Sequence, residues 1–280
     1  MKNIILISSV LLLCLIFPLD LNNQGHLVII GGGPRPDYVM DAFIEYAGGE
    51  DARIIIFPTA SYDPEAAGEF YVDEFNKRGV THVNYIVCTN ETADTDEYFE
   101  ILRGATGIFF SGGNQNRHTA ALLGTKLLDK VKNIYANGGV VGGTSAGAAI
   151  MSEVMITGDE YLANEEDEPF STIKKDNIVI SQGFGFLQSV IIDQHFVQRK
   201  RYNRLISLVL ENPHLVGIGI DEETAIIVYP DNTFKVLGEN TVIVMDAQES
   251  NHITTDKNNN LTGNNIHLHI LKSGTHHNLP

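Results

Sequence analysis

A Gly-x-Ser-x-Gly pentapeptide at residues 143–147 is the part of this chain most suited to covalent chemistry. It follows the β-branched pair Val140 and Val141 and precedes the helix-forming stretch 146–151. A strand–turn–helix connection of this kind exposes a serine as a nucleophile, and small neighbours leave room for a substrate carbonyl above Ser145. A glycine-rich turn without catalytic chemistry has the same composition, so the pentapeptide alone leaves both interpretations open.

A catalytic serine needs a base within hydrogen-bond reach. Of the seven histidines that follow Ser145, His195 differs from the rest because it ends the run 190–195, where a predicted strand meets a predicted helix. The other histidines lie in the tail or in a helix-ending turn. A structural, hydrogen-bonded histidine is the alternative at this position.

The base in turn needs an orienting acid. Glu222 lies at the end of another predicted strand and is the first candidate. The competing carboxylates are Asp221, Glu223 and Glu160. Sequence spacing does not separate them.

Four basic side chains lie within the six positions 199–204, shortly after His195: Arg199, Lys200, Arg201 and Arg204. Arg201 and Arg204 share a helix face at i, i+3 spacing. Beside a nucleophile, such guanidinium groups would bind a carboxylate of the substrate. Without that context, a solvated helix face is the favoured interpretation.

Strands and helices alternate from residue 26 onward, which is typical of a mostly parallel sheet covered on both faces. Predicted strands are 26–30, 53–57, 82–87, 107–110 and 140–142, and predicted helices are 38–47, 65–77, 96–102, 119–123 and 126–135. Further strands are expected at 216–220, 225–229, 233–237 and 242–245, the last three antiparallel. Residues 159–176 form an acidic stretch that is expected to be a loop.

Three glycine-rich loops, at 31–33, 111–113 and 142–147, each follow a predicted strand. Ligands of parallel sheets bind where the carboxyl ends of strands meet loops, so all three loops could converge on one site. The spacing of Gly31, Gly32 and Gly33 does not match a dinucleotide-binding loop.

The N-terminus predicts an export signal over residues 1–24. Lys2 precedes the apolar run 4–17, which is too short for a comfortable membrane span. We therefore expect a secreted or periplasmic protein without stable membrane insertion after signal removal. Cys88 is then the only remaining cysteine, which excludes an internal disulfide.

Length, charge and residue types limit the possible partners, domains and cofactors. The chain has 280 residues and a formal net charge of −16, which makes nucleic acid a poor partner. We expect one α/β serine peptidase domain over 25–250 and a C-terminal strand and tail over 251–280. His267 and His269 alternate onto one face of a predicted strand, but two ligands without a third argue against a metal site. No metal or cofactor is expected.

Several segments together resemble the cyanophycinase branch of peptidase family S51, which also contains the aspartyl dipeptidases. The segments that carry the resemblance are 47–53 with 58–61, 109–117, 143–148, 193–196 with its arginines, and 217–222, in co-linear order over about residues 26 to 246. The aspartyl dipeptidases share the serine segment and Gly-Gly-Asn at 112–114. The Asp-Gln-His-Phe segment with its arginines is more similar to cyanophycinases.

The resemblance implies a doubly wound, mostly parallel sheet like that of class I glutamine amidotransferases, with an antiparallel extension near the C-terminus. It implies Ser145 as nucleophile, His195 as base and Glu222 as acid. The N–H groups of Gly113 and Ala146 are our expectation for the oxyanion hole. The residues implied to line the substrate pocket are Gln115, Asp193, Gln194, Arg199, Arg201 and Arg204.

The implied reaction is hydrolysis of cyanophycin, a poly-aspartate that carries arginine on each β-carboxylate, to β-aspartyl-arginine dipeptides. The alternatives are a peptidase for short aspartyl peptides and a secreted, non-catalytic binding protein on the same fold. A homodimer is possible on either interpretation.

Overall fold

The computed structural model describes residues 24–162 and 169–280, so all but residue 24 of the predicted export signal lies outside the described residues. In the first half of the chain, the strands are Leu27–Ile30 (β1), Arg53–Phe57 (β2), His82–Tyr85 (β3), Gly107–Phe110 (β4) and Val140–Thr144 (β5). The helices are Asp37–Tyr46 (α1), Pro64–Lys77 (α2), Asp96–Ile101 (α3), Gln115–Leu122 (α4), Lys126–Ala136 (α5) and the short Ala146–Ala149 (α6).

The second half consists mainly of strands. They are Val154–Glu160 (β6), Ile178–Gln182 (β7), Val190–Gln194 (β8), Val216–Ile220 (β9), Thr224–Val228 (β10), Thr233–Gly238 (β11), Val242–Asp246 (β12), Thr254–Thr255 (β13), Leu261–Thr262 (β14), His267–Leu271 (β15) and His276–Asn278 (β16). Helix α7 covers Tyr202–Glu211.

The main sheet has eight strands in the order β16-β11-β10-β1-β5-β4-β2-β3. Strands β1 to β5 run parallel to one another, and β10, β11 and β16 extend the sheet beyond β1 in antiparallel fashion. Helices α1 and α2 pack on one face, with core residues such as Val28 and Phe43. Helices α4, α5 and α6 pack on the other, with Ile29 and Val131. The α/β fold with a mostly parallel sheet and an antiparallel extension is thereby confirmed.

The continuous apolar runs explain why these strands lie inside the sheet. All four residues of β1 and all five of β5 are buried, as is typical of strands covered on both faces. The helices begin at polar caps: Asp63 accepts from the Ala66 N–H before α2, and Asn114 accepts from the Asn116 N–H before α4. That cap starts α4 at Gln115, four residues earlier than the predicted helix.

A second, four-stranded sheet corrects one sequence prediction. Its order is β15-β12-β9-β8, so β12 pairs with β9 and not with β11. All three strands are antiparallel to a neighbour as expected, but the sequence prediction did not separate β12 from the sheet that contains β10 and β11. Strands β8 and β9 are parallel, with Gln194 opposite Ile220. One face of this sheet joins the core of the main sheet, and α7 covers the other with Leu205 and Val209.

The β6–β7 hairpin was not predicted from the sequence. It occupies part of the acidic stretch that was expected to be a loop, because β6 extends to Glu160 and pairs with Ile178. The described parts of that stretch are 159–162 and 169–176.

The predicted tail segment is attached to both sheets. Strand β15 pairs with β12, and β16 pairs with β11. Within residues 24–162 and 169–280, no three or more histidine, cysteine or acidic side chains are grouped as metal ligands would be. The same described residues contain no helix that is long and apolar enough to span a membrane.

Candidate active site

Ser145 lies at the sharp connection between β5 and α6, with φ 53° and ψ −106°, a backbone conformation that is unfavourable for residues other than glycine. Two neighbouring glycines make the connection possible. A Cβ added to Gly143 would lie 2.4 Å from the Gly147 carbonyl oxygen, and one added to Gly147 would lie 2.3 Å from the Phe110 carbonyl oxygen. The Ser145 N–H donates to the Ile30 carbonyl at 3.0 Å. The strained serine is therefore held by backbone contacts from β1 and β4.

The structure brings Ser145, His195 and Glu222 into one hydrogen-bonded chain. Ser145 Oγ lies 2.7 Å from His195 Nε2, and His195 Nδ1 lies 2.6 Å from Glu222 Oε1. His195 directly follows β8, and Glu222 follows β9 by one residue. Because these two strands are parallel neighbours, their carboxyl ends place the imidazole beside the carboxylate. Side chains suited to act as nucleophile, base and orienting acid are thus in contact.

Two of the three competing carboxylates, Asp221 and Glu160, have other partners. Asp221 Oδ1 accepts from the Val197 and Gln198 N–H groups at 3.1 and 2.9 Å. Glu160 accepts from the Phe170 N–H at 2.7 Å and from the Asn177 amide at 3.0 Å. In the part of the chain that the structure describes, Glu222 is the carboxylate that reaches His195.

The glycine loop at 31–33 holds the histidine in place. The Gly31 carbonyl accepts from the His195 N–H at 2.8 Å, and a Cβ on Gly32 would lie 2.3 Å from His195 Cε1. A Cβ on Gly33 would lie 2.9 Å from Glu222 Cβ. This loop therefore packs directly on the base and the acid, and the three glycine-rich loops converge as the sequence predicted.

The electrostatic surroundings of His195 favour its neutral form. Burial lowers its pKa, the hydrogen bond to Glu222 raises it, and the guanidinium groups of Arg199 and Arg201 lower it, with a net decrease from 6.5. A neutral imidazole can accept a proton from the serine hydroxyl.

The loop at 111–113 lies beside the serine. A Cβ on Gly112 would lie 3.5 Å from Ser145 Cβ. Gly113 has φ 137°, and a Cβ there would lie 2.0 Å from the Ala60 carbonyl oxygen. Neither the Gly113 N–H nor the Ala146 N–H is hydrogen-bonded to another residue within 24–162 and 169–280. Two unpaired donors next to a nucleophile are what an oxyanion hole requires.

The basic cluster divides into a buried part and a partly exposed part. Arg204 and Asp193 are 1% and 0% exposed and form a paired ion bridge, with Arg204 Nε 2.7 Å from Asp193 Oδ2 and Arg204 Nη2 bonded to Asp193 Oδ1. The Arg204 guanidinium also lies 4.8 Å from the centre of the Phe170 ring. These two residues are buried and bind each other. Their burial argues against the expectation that both line the substrate pocket.

Arg201 and Gln194 lie next to this pair. Arg201 Nη1 donates to the Gln194 carbonyl at 2.7 Å and to its side-chain oxygen at 2.9 Å. Burial and the adjacent Arg204 guanidinium lower the pKa of Arg201 to about 10. Arg199 is exposed and its N–H donates to the His195 carbonyl at 2.9 Å. Positive charge is therefore concentrated next to the base.

Gln115 is also buried. Its side-chain nitrogen donates to the Ile156 carbonyl at 2.8 Å and to the Thr157 carbonyl at 2.5 Å. The amide thus connects the start of α4 to strand β6, and its nitrogen is already bonded to the backbone.

One buried residue beside the serine loop was not identified from the sequence, His118 in α4. His118 Nε2 lies 3.1 Å from the Ser111 carbonyl oxygen. The sequence gives only a weak signal for His118. Its position three residues after Gln115 indicates that it faces the site only once the start of α4 is known.

The profile of peptidase family S51 matches residues 27–236, a range that contains the whole Ser145–His195–Glu222 chain. The chain belongs to this family.

Two relatives agree with that assignment, and a solved structure agrees with the fold. A cyanophycinase from Synechococcus elongatus is 35% identical over 265 residues, which cover 92% of this chain and 80% of the relative. A cyanophycinase from Geminocystis herdmanii is 33% identical over 263 residues, covering 91% of this chain and 94% of the relative. The crystal structure of a peptidase from an acI-B1 actinobacterium superposes with a TM-score of 0.68 at 22% identity, covering 91% of this chain and 97% of that one, and is similar in fold.

Proposed function

We propose that this protein is a serine-type exopeptidase that hydrolyses cyanophycin to β-aspartyl-arginine dipeptides through an acyl-enzyme. The observation that carries the proposal is the hydrogen-bonded chain from Ser145 Oγ through His195 to Glu222. The named cyanophycinase relatives, which match nine-tenths of this chain, support the substrate. The charged groups around the base fit a substrate that carries both carboxylates and guanidinium groups.

The chemistry begins at an α-peptide carbonyl next to an arginylated aspartate. Ser145 Oγ attacks this carbonyl while His195 Nε2 takes the serine proton, and Glu222 stabilises the imidazolium through Nδ1–H. The oxyanion of the tetrahedral intermediate accepts from the Gly113 and Ala146 N–H groups. His195 then gives its proton to the leaving amine, and the peptide C–N bond breaks. Water, deprotonated by His195, hydrolyses the ester and regenerates Ser145.

For substrate binding, the burial pattern favours the partly exposed side chains. Arg199 and Arg201 are proposed to bind carboxylates of the substrate. Gln194, which is buried and accepts from Arg201, is proposed to orient that guanidinium. The buried Asp193–Arg204 pair is proposed to hold Gln194 and Arg201 in place, since Arg204 Nη2 lies 3.2 Å from Gln194 Oε1. Gln115 would act in the same indirect way, through strand β6.

The test is incubation of the purified protein with insoluble cyanophycin, beside a Ser145→Ala variant. We expect β-aspartyl-arginine, identified by mass, only with the native serine. Short Asp-Xaa peptides are offered in parallel. Cleavage of these peptides with an intact polymer would favour the aspartyl dipeptidase alternative. If the folded protein cleaves neither substrate and a serine-directed fluorophosphonate fails to label it, the non-catalytic alternative replaces the proposal.

Export remains part of the proposal and rests on the apolar run at 4–17. Fractionation of producing cells tests it, with the mass of the mature chain measured in each fraction. An intact N-terminus on protein found only inside the cell would contradict export.

A further inference from the structure

His118 is a fully buried histidine close to the reaction centre that the mechanism above does not use. Its ring packs edge-on against Phe110, with ring centroids 5.3 Å apart, and Nε2 lies 3.1 Å from the Ser111 carbonyl oxygen. A carbonyl oxygen only accepts, so Nε2 must carry the hydrogen of the neutral ring. This contact fixes the tautomer.

The other ring nitrogen has no comparable role. Nδ1 of His118 is buried without a hydrogen-bond partner among the described residues. Burial lowers the pKa of His118 to about 4, so the ring is neutral near pH 7. An apolar side chain would fill the same space without an unpaired polar atom. The one polar interaction that histidine provides here is therefore its bond to Ser111.

That bond acts on the loop beside the nucleophile. The Ser111 carbonyl and the Gly112 N–H belong to one peptide plane. By holding the carbonyl end, His118 therefore sets the orientation of the whole peptide group. Two glycines follow in this loop, and glycine alone does little to restrict the backbone.

The ends of the loop are anchored separately. The Ser111 N–H donates to the Phe57 carbonyl at 3.1 Å, and the Asn114 N–H donates to the Ala60 carbonyl at 2.9 Å. Between these anchors, the peptide joining Ser111 and Gly112 depends on side chains for its orientation. The unpaired Gly113 N–H comes directly after it.

We propose that His118 is a positioning residue for acyl transfer, which orients the Ser111–Gly112 peptide and thereby aims the Gly113 N–H at the oxyanion formed at Ser145. The inference rests on the proposed acyl transfer at Ser145. Donors that are oriented before the reaction stabilise developing charge far better than donors that must reorient. A small misplacement of such a group reduces the rate by up to about a hundredfold.

Two variants separate positioning from packing. His118→Leu fills the space but removes the donor. His118→Gln restores a donor, because the amide nitrogen of glutamine lies as many bonds from Cα as the imidazole Nε2 does. Leu122→Ala is the matched control, since Leu122 is a fully buried residue of the same helix that belongs to the apolar core.

The readouts are kcat and KM on cyanophycin and the rate of labelling of Ser145 by a fluorophosphonate, each beside thermal unfolding. For His118→Leu we expect kcat and labelling to fall about 10- to 100-fold with KM changed less than about threefold. His118→Gln should recover most of that loss. Leu122→Ala should lower the unfolding temperature and leave kcat within about twofold, because it opens a cavity in the apolar core and leaves the His118–Ser111 hydrogen bond in place.

Three results would overturn the inference: an unchanged kcat in His118→Leu, the same loss in His118→Gln as in His118→Leu, or an equal loss of kcat in Leu122→Ala. If the wild-type protein neither cleaves the polymer nor labels at Ser145, the proposed function has failed, and that outcome is visible before any variant is compared.

Discussion

The two sides of the candidate site are built in different ways. The serine side belongs to the main sheet, where Ser145 is held by backbone contacts at Gly143 and Gly147 that allow no side chain. The histidine and acid side belongs to the second sheet, where the pairing of β8 with β9 aligns His195 and Glu222. One side is fixed by the absence of side chains, and the other by strand register and a buried ion pair. A substitution should therefore affect each side through a different mechanism.

The largest change in kcat is expected when Glu222, the candidate acid, is replaced. Glu222→Gln should lower kcat by about 10³- to 10⁴-fold while the fold is retained, because an amide no longer fixes the productive tautomer of His195. Steady-state kinetics on cyanophycin measure it. Glu223→Gln is the matched control, since Glu223 is adjacent in sequence and its N–H donates to the Gly32 carbonyl. Equal losses in both variants would remove Glu222 from the triad.

The buried ion pair of the second sheet comes next. Arg204→Met should lower the free energy of unfolding by about 3–5 kcal/mol, because it leaves the carboxylate of Asp193 buried without its partner. Urea denaturation measures the change. The double variant Arg204→Met/Asp193→Leu should recover much of the loss. Arg103→Met, at an exposed pair, is the control, with an expected change below about 0.5 kcal/mol. Stability equal to wild type in Arg204→Met would contradict the buried pairing.

On the serine side, the low pKa of the buried His118 predicts that the stability of the fold depends on pH. In the unfolded chain this histidine binds a proton below about pH 6.5, whereas the folded chain resists protonation down to about pH 4. Stability should therefore fall as pH drops through this window, by about 3 kcal/mol in total. Urea unfolding at a series of pH values measures it. His118→Leu should flatten this part of the profile, and an unchanged slope in that variant would refute the assignment.

Replacing a glycine that packs against the serine turn should reduce activity more than replacing a glycine that has open space around it. Gly147→Ala should lower kcat about a hundredfold, because the new methyl group would collide with the Phe110 carbonyl and displace the serine turn. Gly124→Ala is the control: Gly124 also has a positive φ, of 77°, but a Cβ there meets no atom within 4 Å. It should lose about 1 kcal/mol of stability and keep its kcat. Full activity in Gly147→Ala would show that the turn adapts.

The smallest expected effect concerns the charge near the base. Arg199 lowers the pKa of His195, so Arg199→Gln should move the acid limb of the pH–kcat profile to higher pH, by a fraction of a pH unit. Activity requires neutral His195, and in the wild type it should persist below pH 6.5 because the pKa is decreased. Lys200→Gln serves as the control on the neighbouring residue. A shift to lower pH in Arg199→Gln would contradict the sign of this interaction.

Much of the fold could be predicted from local patterns. The apolar runs of β1, β2, β4 and β9 were identified to within a residue, because strands buried on both faces leave little ambiguity in sequence. Strands β6 and β7 were missed, since each contains only three consecutive apolar residues before polar ones and is partly exposed. The start of α4 was missed because its first turn, Gln-Asn-Arg-His, has no apolar periodicity and its beginning depends on the cap at Asn114.

By itself, the sequence determined the family and identified the candidate nucleophile segment and the candidate base, because these segments are contiguous stretches whose residue types are constrained by local backbone geometry. Only the tertiary structure decided which of four carboxylates meets His195, that Arg204 is buried against Asp193, and that His118 lies on the loop beside Ser145. Those three outcomes depend on contacts between segments that are 7 to 27 residues apart in the chain. Such contacts are set by the pairing of β8 with β9 and by the packing of helices on the sheets, and spacing along a chain does not encode these distances.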